Sequence, residues 1–315
     1  MAWLGAEVDA AMIVVRAVHF AASATTAGAL VFRAVVADPA LHAVEQVRSV
    51  IDAGTRRLAW SGLAIAFVTG MLWLLLQASA MSGQTFGEAL TSGAIVTVLD
   101  ETQFGLVSEI RLALAILLAL CLAFDRRRSA RWLALVTAVG LVAAIAWTGH
   151  AASTPSSLGI LHLASDALHL CGAAAWTGGL MSLALALNVL RRHRDDAGPL
   201  FQLDLVRRFF LLGMASVAAL VISGIVNAWI LVGSFRALVL TNYGWILMLK
   251  IAAFLAMAVL AGVNRLWLTP RLAGTDGKAL RSLARNTVAE IVLALFIFAV
   301  VGLLGMLHPA AHLMK

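Results

Sequence analysis

Three ionisable side chains sit inside one apolar stretch. From Leu158 to Leu190 the chain reads LGILHLASDALHLCGAAAWTGGLMSLALALNVL, and within it stand His162, Asp166 and His169. Spacings of four and three residues put all three on one face of a helix. Charged and titratable groups inside a membrane span are costly and usually face a bundle interior or a wet cavity. Imidazole suits copper, zinc, iron and nickel, and thioether or thiolate ligands favour copper(I). Two imidazoles bracketing a carboxylate therefore form half of a metal site, with Asp166 either a ligand or the group that orients an imidazole. The other half has to come from other helices.

Candidate partners follow a pattern. His19 lies in the first apolar stretch, at a depth matching His169: each is roughly 15 Å below the outer end of its helix at 1.5 Å rise per residue. His150, His308 and His312 fall at outer helix ends, where a mouth would be. Only His42 and His193 fall in loops on the other side. The expectation is a line of imidazoles: His150, His308 and His312 capture, and His19, His162 and His169 form the intramembrane site. Arg111 and Lys250, also within spans, are expected to pair with Glu109, Glu290 or outer carbonyls. The small residues Gly172, Ala173, Ala174, Gly178 and Gly179 allow close helix packing.

The elements that must hold these groups are membrane spans. The chain is 62% hydrophobic and 12% charged, about half the charge of a soluble domain. The fold class is all-α and polytopic, with eight transmembrane helices near 9–37, 55–80, 104–124, 130–151, 157–190, 205–233, 242–268 and 284–307. Most of the 23 basic residues lie in alternate loops, so the positive-inside rule puts these in the cytoplasm and both termini outside. The net charge of +7 is thus a topology signal; no stretch resembles a nucleic-acid groove. The start, MAWLGAEVDA, lacks the basic region of a cleaved signal. Ser79 to Gln103 carries acids and no base, and reads as a segment on the outer membrane surface. Cys121 and Cys171 lie at different depths, so no disulfide is expected. No CxxC, HExxH or GxxxxGK[ST] pattern is present, which argues against structural zinc and against an ATP-driven pump. No enzyme is expected.

The halves resemble each other, which suggests repeats over 1–154 and 155–315. His19 and His169 each precede a glycine by nine residues, Gly28 and Gly178. TQFG precedes Arg111 as TNYG precedes Lys250, and TGHAA with His150 matches MLHPA with His308.

The run DALHLCGAAAWTGGL and the segment Arg207 to Leu272, with SGIVNAW, TNYG and NRLWLTPR, resemble the copper resistance protein D family (CopD, PcoD and relatives). That resemblance implies an inner-membrane protein taking copper from the periplasm, often beside a small periplasmic CopC-like copper-binding protein. Copper is the expected metal, and its valence, import as against binding only, and homo-oligomer formation are left open. Two rivals remain on the residues alone. A histidine pair at one depth is also how haem b is held in an electron carrier. A copper-binding assembly factor without transport is the other.

Overall fold

The computed structural model describes residues 9–40, 45–154, 157–193, 199–273 and 277–313. Among these residues the helices long and apolar enough to cross a membrane number 8. They are α1 (Ala10–Ala40), α2 (Val47–Ser82), α5 (Gln103–Ala123), α6 (Arg128–Thr148), α7 (Leu158–Arg192), α8 (Leu200–Val232), α10 (Asn242–Leu272) and α11 (Lys278–Leu304). Three short helices join them: α3 (Phe86–Thr91), α4 (Ala94–Glu101) and α9 (Phe235–Leu240). No strand occurs among the described residues. Helices satisfy their own backbone groups, the condition for crossing an apolar phase.

The boundaries depart from the expected ones mainly at the Arg-rich ends. There α2, α8 and α11 begin several residues earlier than the apolar pattern does. Nothing in the backbone stops a helix where hydrocarbon stops, and arginine is a good helix former. Between α2 and α5 the connecting segment folds as α3 and α4. Thr85 caps α3 by accepting from the Glu88 amide, and Glu88 Oε2 accepts from the Thr85 amide at 2.9 Å. The Thr85 hydroxyl on the Glu88 carboxylate, reinforced by the Thr85 amide, holds that acid below its usual range. Gly93, at φ 82°, makes the turn into α4.

The first spans of the two halves, α1 and α7, cross at their equivalent glycines. A Cβ on Gly178 would stand 2.0 Å from the Ala24 carbonyl oxygen; one on Gly28 would stand 2.3 Å from the Ala174 carbonyl oxygen. The contact is reciprocal, residue for residue, with backbone lying on backbone as small residues permit. Below the crossing Phe32, Leu183, Leu187 and Phe209 form the main buried cluster. At the Arg-rich end, buried Arg33 of α1 donates to Asp125 (2.8 and 2.7 Å) and pairs with Asp52 of α2 at 3.1 Å. Three chain segments that are distant in sequence are tied there by one guanidinium.

Candidate metal-transfer site

Each intramembrane histidine is held by a hydroxyl. His19 Nδ1 is 3.0 Å from Thr69 Oγ1, and that hydroxyl donates to the Ile65 carbonyl (2.7 Å). His169 Nδ1 is 3.0 Å from Ser223 Oγ, whose proton goes to the Ala219 carbonyl. His162 Nδ1 is 2.8 Å from Thr154 Oγ1, which donates to the His150 carbonyl (3.3 Å). A hydroxyl that has given its proton to a carbonyl can only accept from the ring. The network therefore assigns the Nδ1–H tautomer to all three histidines and leaves Nε2 as the acceptor. Orienting a ring from its far nitrogen is how proteins present a metal-ligating imidazole.

The two histidines at matching depth nevertheless lie in separate pockets. His19 packs between α1, α2 and α5, against Gly70 and Trp73 of α2. Arg111 Nη2 donates to its Nε2, so that lone pair is taken. His169 packs against Ser223 and Gly224 of α8, with Lys250 of α10 within electrostatic reach. The expectation that His19, His162 and His169 converge on one point is thus corrected. Each of α1 and α7 packs its histidine against the second span of its own half, and the shared contact of α1 with α7 is the glycine crossing. Among the described residues no three His, Cys, Asp or Glu side chains are gathered to hold a metal ion. A haem held between His19 and His169 would need both rings on one cavity, and Arg111 already occupies the first.

The cations are placed by a local device that recurs. Thr102 caps α5 by accepting from the Gly105 amide (2.9 Å) and donates to Val98 O (2.6 Å). Thr241 caps α10 by accepting from the Gly244 amide (3.0 Å) and donates to Ala237 O (2.7 Å). Six residues on stand Arg111 and Lys250. The expected partners Glu109 and Glu290 are not theirs. Arg111 meets His19, Lys250 interacts with Asp166, and Glu290 accepts from Asn264 Nδ2 at 2.6 Å. Residue 109 lies two along the helix from 111 and so faces away from it; Glu290 belongs to the contact of α11 with α10 near Asn264 and Asn286.

Chemistry diverges at the position three before each histidine. In the second half Asp166 accepts from Asn227 Nδ2 (3.2 Å). In the first half Arg16 lies over the Trp73 ring, 5.1 Å from its centre, with Nη1 donating to Gly305 O at 3.3 Å. Trp73 and Asn227 each follow their hydroxyl residue by four. The first half therefore sets Arg111 on its histidine and Arg16 behind Trp73, and the second sets a carboxylate and an ammonium near His169. The first surroundings disfavour a cation more than the second, where Asp166 offsets Lys250.

At the end of the bundle opposite the Arg-rich loops, His150 sits near Arg16, His162, Leu304 and Leu307. Burial pushes its imidazole below the usual range, and Arg16 and then His162 push the same way. The unfolded chain takes that proton first, near 6.5. This contribution to stability is thus present above that pH and lost as pH falls below it. The thermal midpoint should drop between about pH 7.5 and 5.5, and His150→Gln should flatten the slope; an equal slope in both proteins would contradict the assignment. His308 is exposed, and the side chain of His312 lies outside the described residues. Cys121 and Cys171 are free thiols.

Thr69, Thr154, Ser223, Trp73, Asn227 and Tyr243, which interacts with Asp166, were missed from sequence. The recurring hydroxyl–glycine pair inside a span, Thr69-Gly70 and Ser223-Gly224, is the signal that would have found two of them.

Residues 7–160 match the copper resistance protein D-like N-terminal domain, and residues 203–304 match copper resistance protein D. Copper resistance protein D of Pseudomonas syringae pv. tomato is 31% identical over 258 residues, 78% of this chain and 81% of that protein. The copper transport protein CutJ of Bacillus subtilis (strain 168) is 34% identical over 67% of this chain, which spans 39% of CutJ. The inner membrane protein YebZ of Escherichia coli (strain K12) is 28% identical over 76% of this chain and 82% of its own length. No solved structure matches. Two domain matches in the order of the two halves, with a relative matched over four-fifths of its length, show that the chain belongs to the copper resistance protein D family.

Proposed function

We propose that the protein moves copper inward from the outer face of the inner membrane along the His162–Asp166–His169 face of α7. The Arg-rich end faces the cytoplasm, both termini face the periplasm, and His150 with His308 marks the outer mouth. Copper is the cargo. The observation that carries this reading is the contrast between the halves: imidazoles on one helix face with a carboxylate that offsets Lys250 in the second, guanidiniums with no carboxylate near them among the described residues in the first. His162, Asp166 and His169 stand one turn apart on one helix. Such a row suits hand-over from ligand to ligand better than a closed cage, in keeping with the lack of any ready three-ligand cluster among the described residues. His19 drops out of the metal path, because its acceptor nitrogen is already bonded to Arg111. A periplasmic CopC-like protein is the expected donor.

Copper bound by purified protein should vanish in His169→Ala and Asp166→Asn and persist in His19→Ala. Ser223→Ala should weaken affinity about 10-fold or more by freeing the ring it orients, while Thr69→Ala leaves copper affinity alone. Equilibrium dialysis with metal analysis reads all five. Loss of binding in His19→Ala with retention in His169→Ala would overturn the assignment. Copper uptake into proteoliposomes, abolished by His169→Ala, tests transport; binding without uptake in the unaltered protein would reduce the role to that of an assembly factor.

A further inference from the structure

A cavity of about 60 Å³ lies in the first half, bounded by α2, α5 and α6 with α1 behind. His19 and Arg111 form its polar floor; Phe67, Met71, Trp73 and Leu112 are among its apolar walls. Phe67, Met71 and Leu112 are 47%, 40% and 36% exposed. On spans that cross a bilayer these side chains face lipid, so the cavity opens sideways into the apolar phase.

Its charge has no counterpart within the described chain. Arg111 is 8% exposed, and its Nε is buried without a hydrogen-bond partner; the Nε of Arg16, just behind Trp73, is in the same condition. Among the described residues no carboxylate oxygen comes within 4.0 Å of either guanidinium. The hydroxyls on the wall are already spent: Ser108 donates to Phe104 O and Thr148 to Ile145 O, each at 2.7 Å. Arg111 and the indole N–H of Trp73, also buried without a partner, are thus the donors that remain for a ligand, and only Arg111 carries charge. A buried charge lacking a partner is unfavourable unless something supplies the opposite sign. The second half solves the same problem internally, with Asp166 standing three residues before its histidine where Arg16 stands in the first.

We infer that this cavity binds the anionic head of a single-chain amphiphile from the lipid phase, an acyl carboxylate seated on Arg111 with its chain along Phe67, Met71 and Leu112. Charge complementarity selects an anion, and the sideways opening selects a ligand that travels in lipid rather than a free ion. The site is independent of the copper path, since neither Asp166 nor His169 takes part.

The test uses the full-length protein in detergent and a bromine-labelled fatty acid, 11-bromoundecanoate, whose bromine quenches nearby tryptophan. The expected result is saturable quenching of fluorescence by the acid. Half-saturation should rise at least tenfold in Arg111→Gln, with Arg111→Lys between. The methyl ester of the same probe, which differs only in lacking the charge, should give no saturable component on the unaltered protein. Matching curves for acid and ester would overturn the inference without any variant having to fold. So would an unchanged half-saturation in Arg111→Gln, or saturable quenching by bromide ion and not by the acid.

Discussion

Gly178→Ala is expected to cost about 3 kcal/mol or more, a large loss for one methyl group. The new Cβ would stand 2.0 Å from the Ala24 carbonyl oxygen and 2.7 Å from its carbon. Both are backbone atoms of α1, so no side chain can swing aside. The helices have to separate or tilt, and the reciprocal contact of Gly28 with Ala174 is lost with them. Because α1 and α7 join the halves at this point, the damage should appear as loss of assembled protein in the membrane and as a lowered thermal midpoint in detergent. Gly262→Ala is the control: no atom comes within 4 Å of its Cβ, and alanine is the better helix former by up to about 1 kcal/mol. If Gly178→Ala unfolds together with Gly262→Ala, the crossing is not what holds the halves.

The second large effect belongs to Arg33. It is 6% exposed and bonded to Asp125, itself 6% exposed, with Asp52 on its other side. Removing one partner of a buried pair typically costs about 3–5 kcal/mol, because the other charge is left without compensation. Arg33→Leu should reach that range, since it strands two carboxylates facing each other. Arg33→Leu combined with Asp125→Leu should recover a good part of the loss, as neighbouring sites that share a network are not additive. Unfolding curves for the two single variants and the double variant measure this. A double variant less stable than Arg33→Leu alone would mean that Asp125 matters by itself and not as the partner of Arg33.

Much of the scaffold was legible before any coordinates. Long apolar stretches announced the spans, since hydrocarbon thickness demands a minimum length. The TQFG and TNYG motifs marked the starts of two spans, and the structure shows their threonines as the N-caps that place Arg111 and Lys250. Gly28 and Gly178, matched by their distance from a histidine, turned out to touch each other. What misled was depth. His19 and His169 stand at the same height along their helices, and equal height was read as proximity. Height fixes one coordinate; rotation about the helix axis and the choice of neighbour fix the others. Hydroxyl residues were overlooked because Thr69 and Ser223 look like ordinary small residues in an apolar run.

Local rules therefore determined the helices, several of their ends and the residue types along each, because hydrophobic length and capping act through near neighbours in the chain. Only the packing of the spans decided which neighbours each histidine meets, that Arg111 bonds the acceptor nitrogen of His19, and that Asp166 meets Asn227 and Lys250. Those outcomes depend on contacts between residues 50 to 150 positions apart, such as His19 with Thr69 and Arg33 with Asp125. An apolar helix carries little in its own pattern to say which of its faces will meet which neighbour.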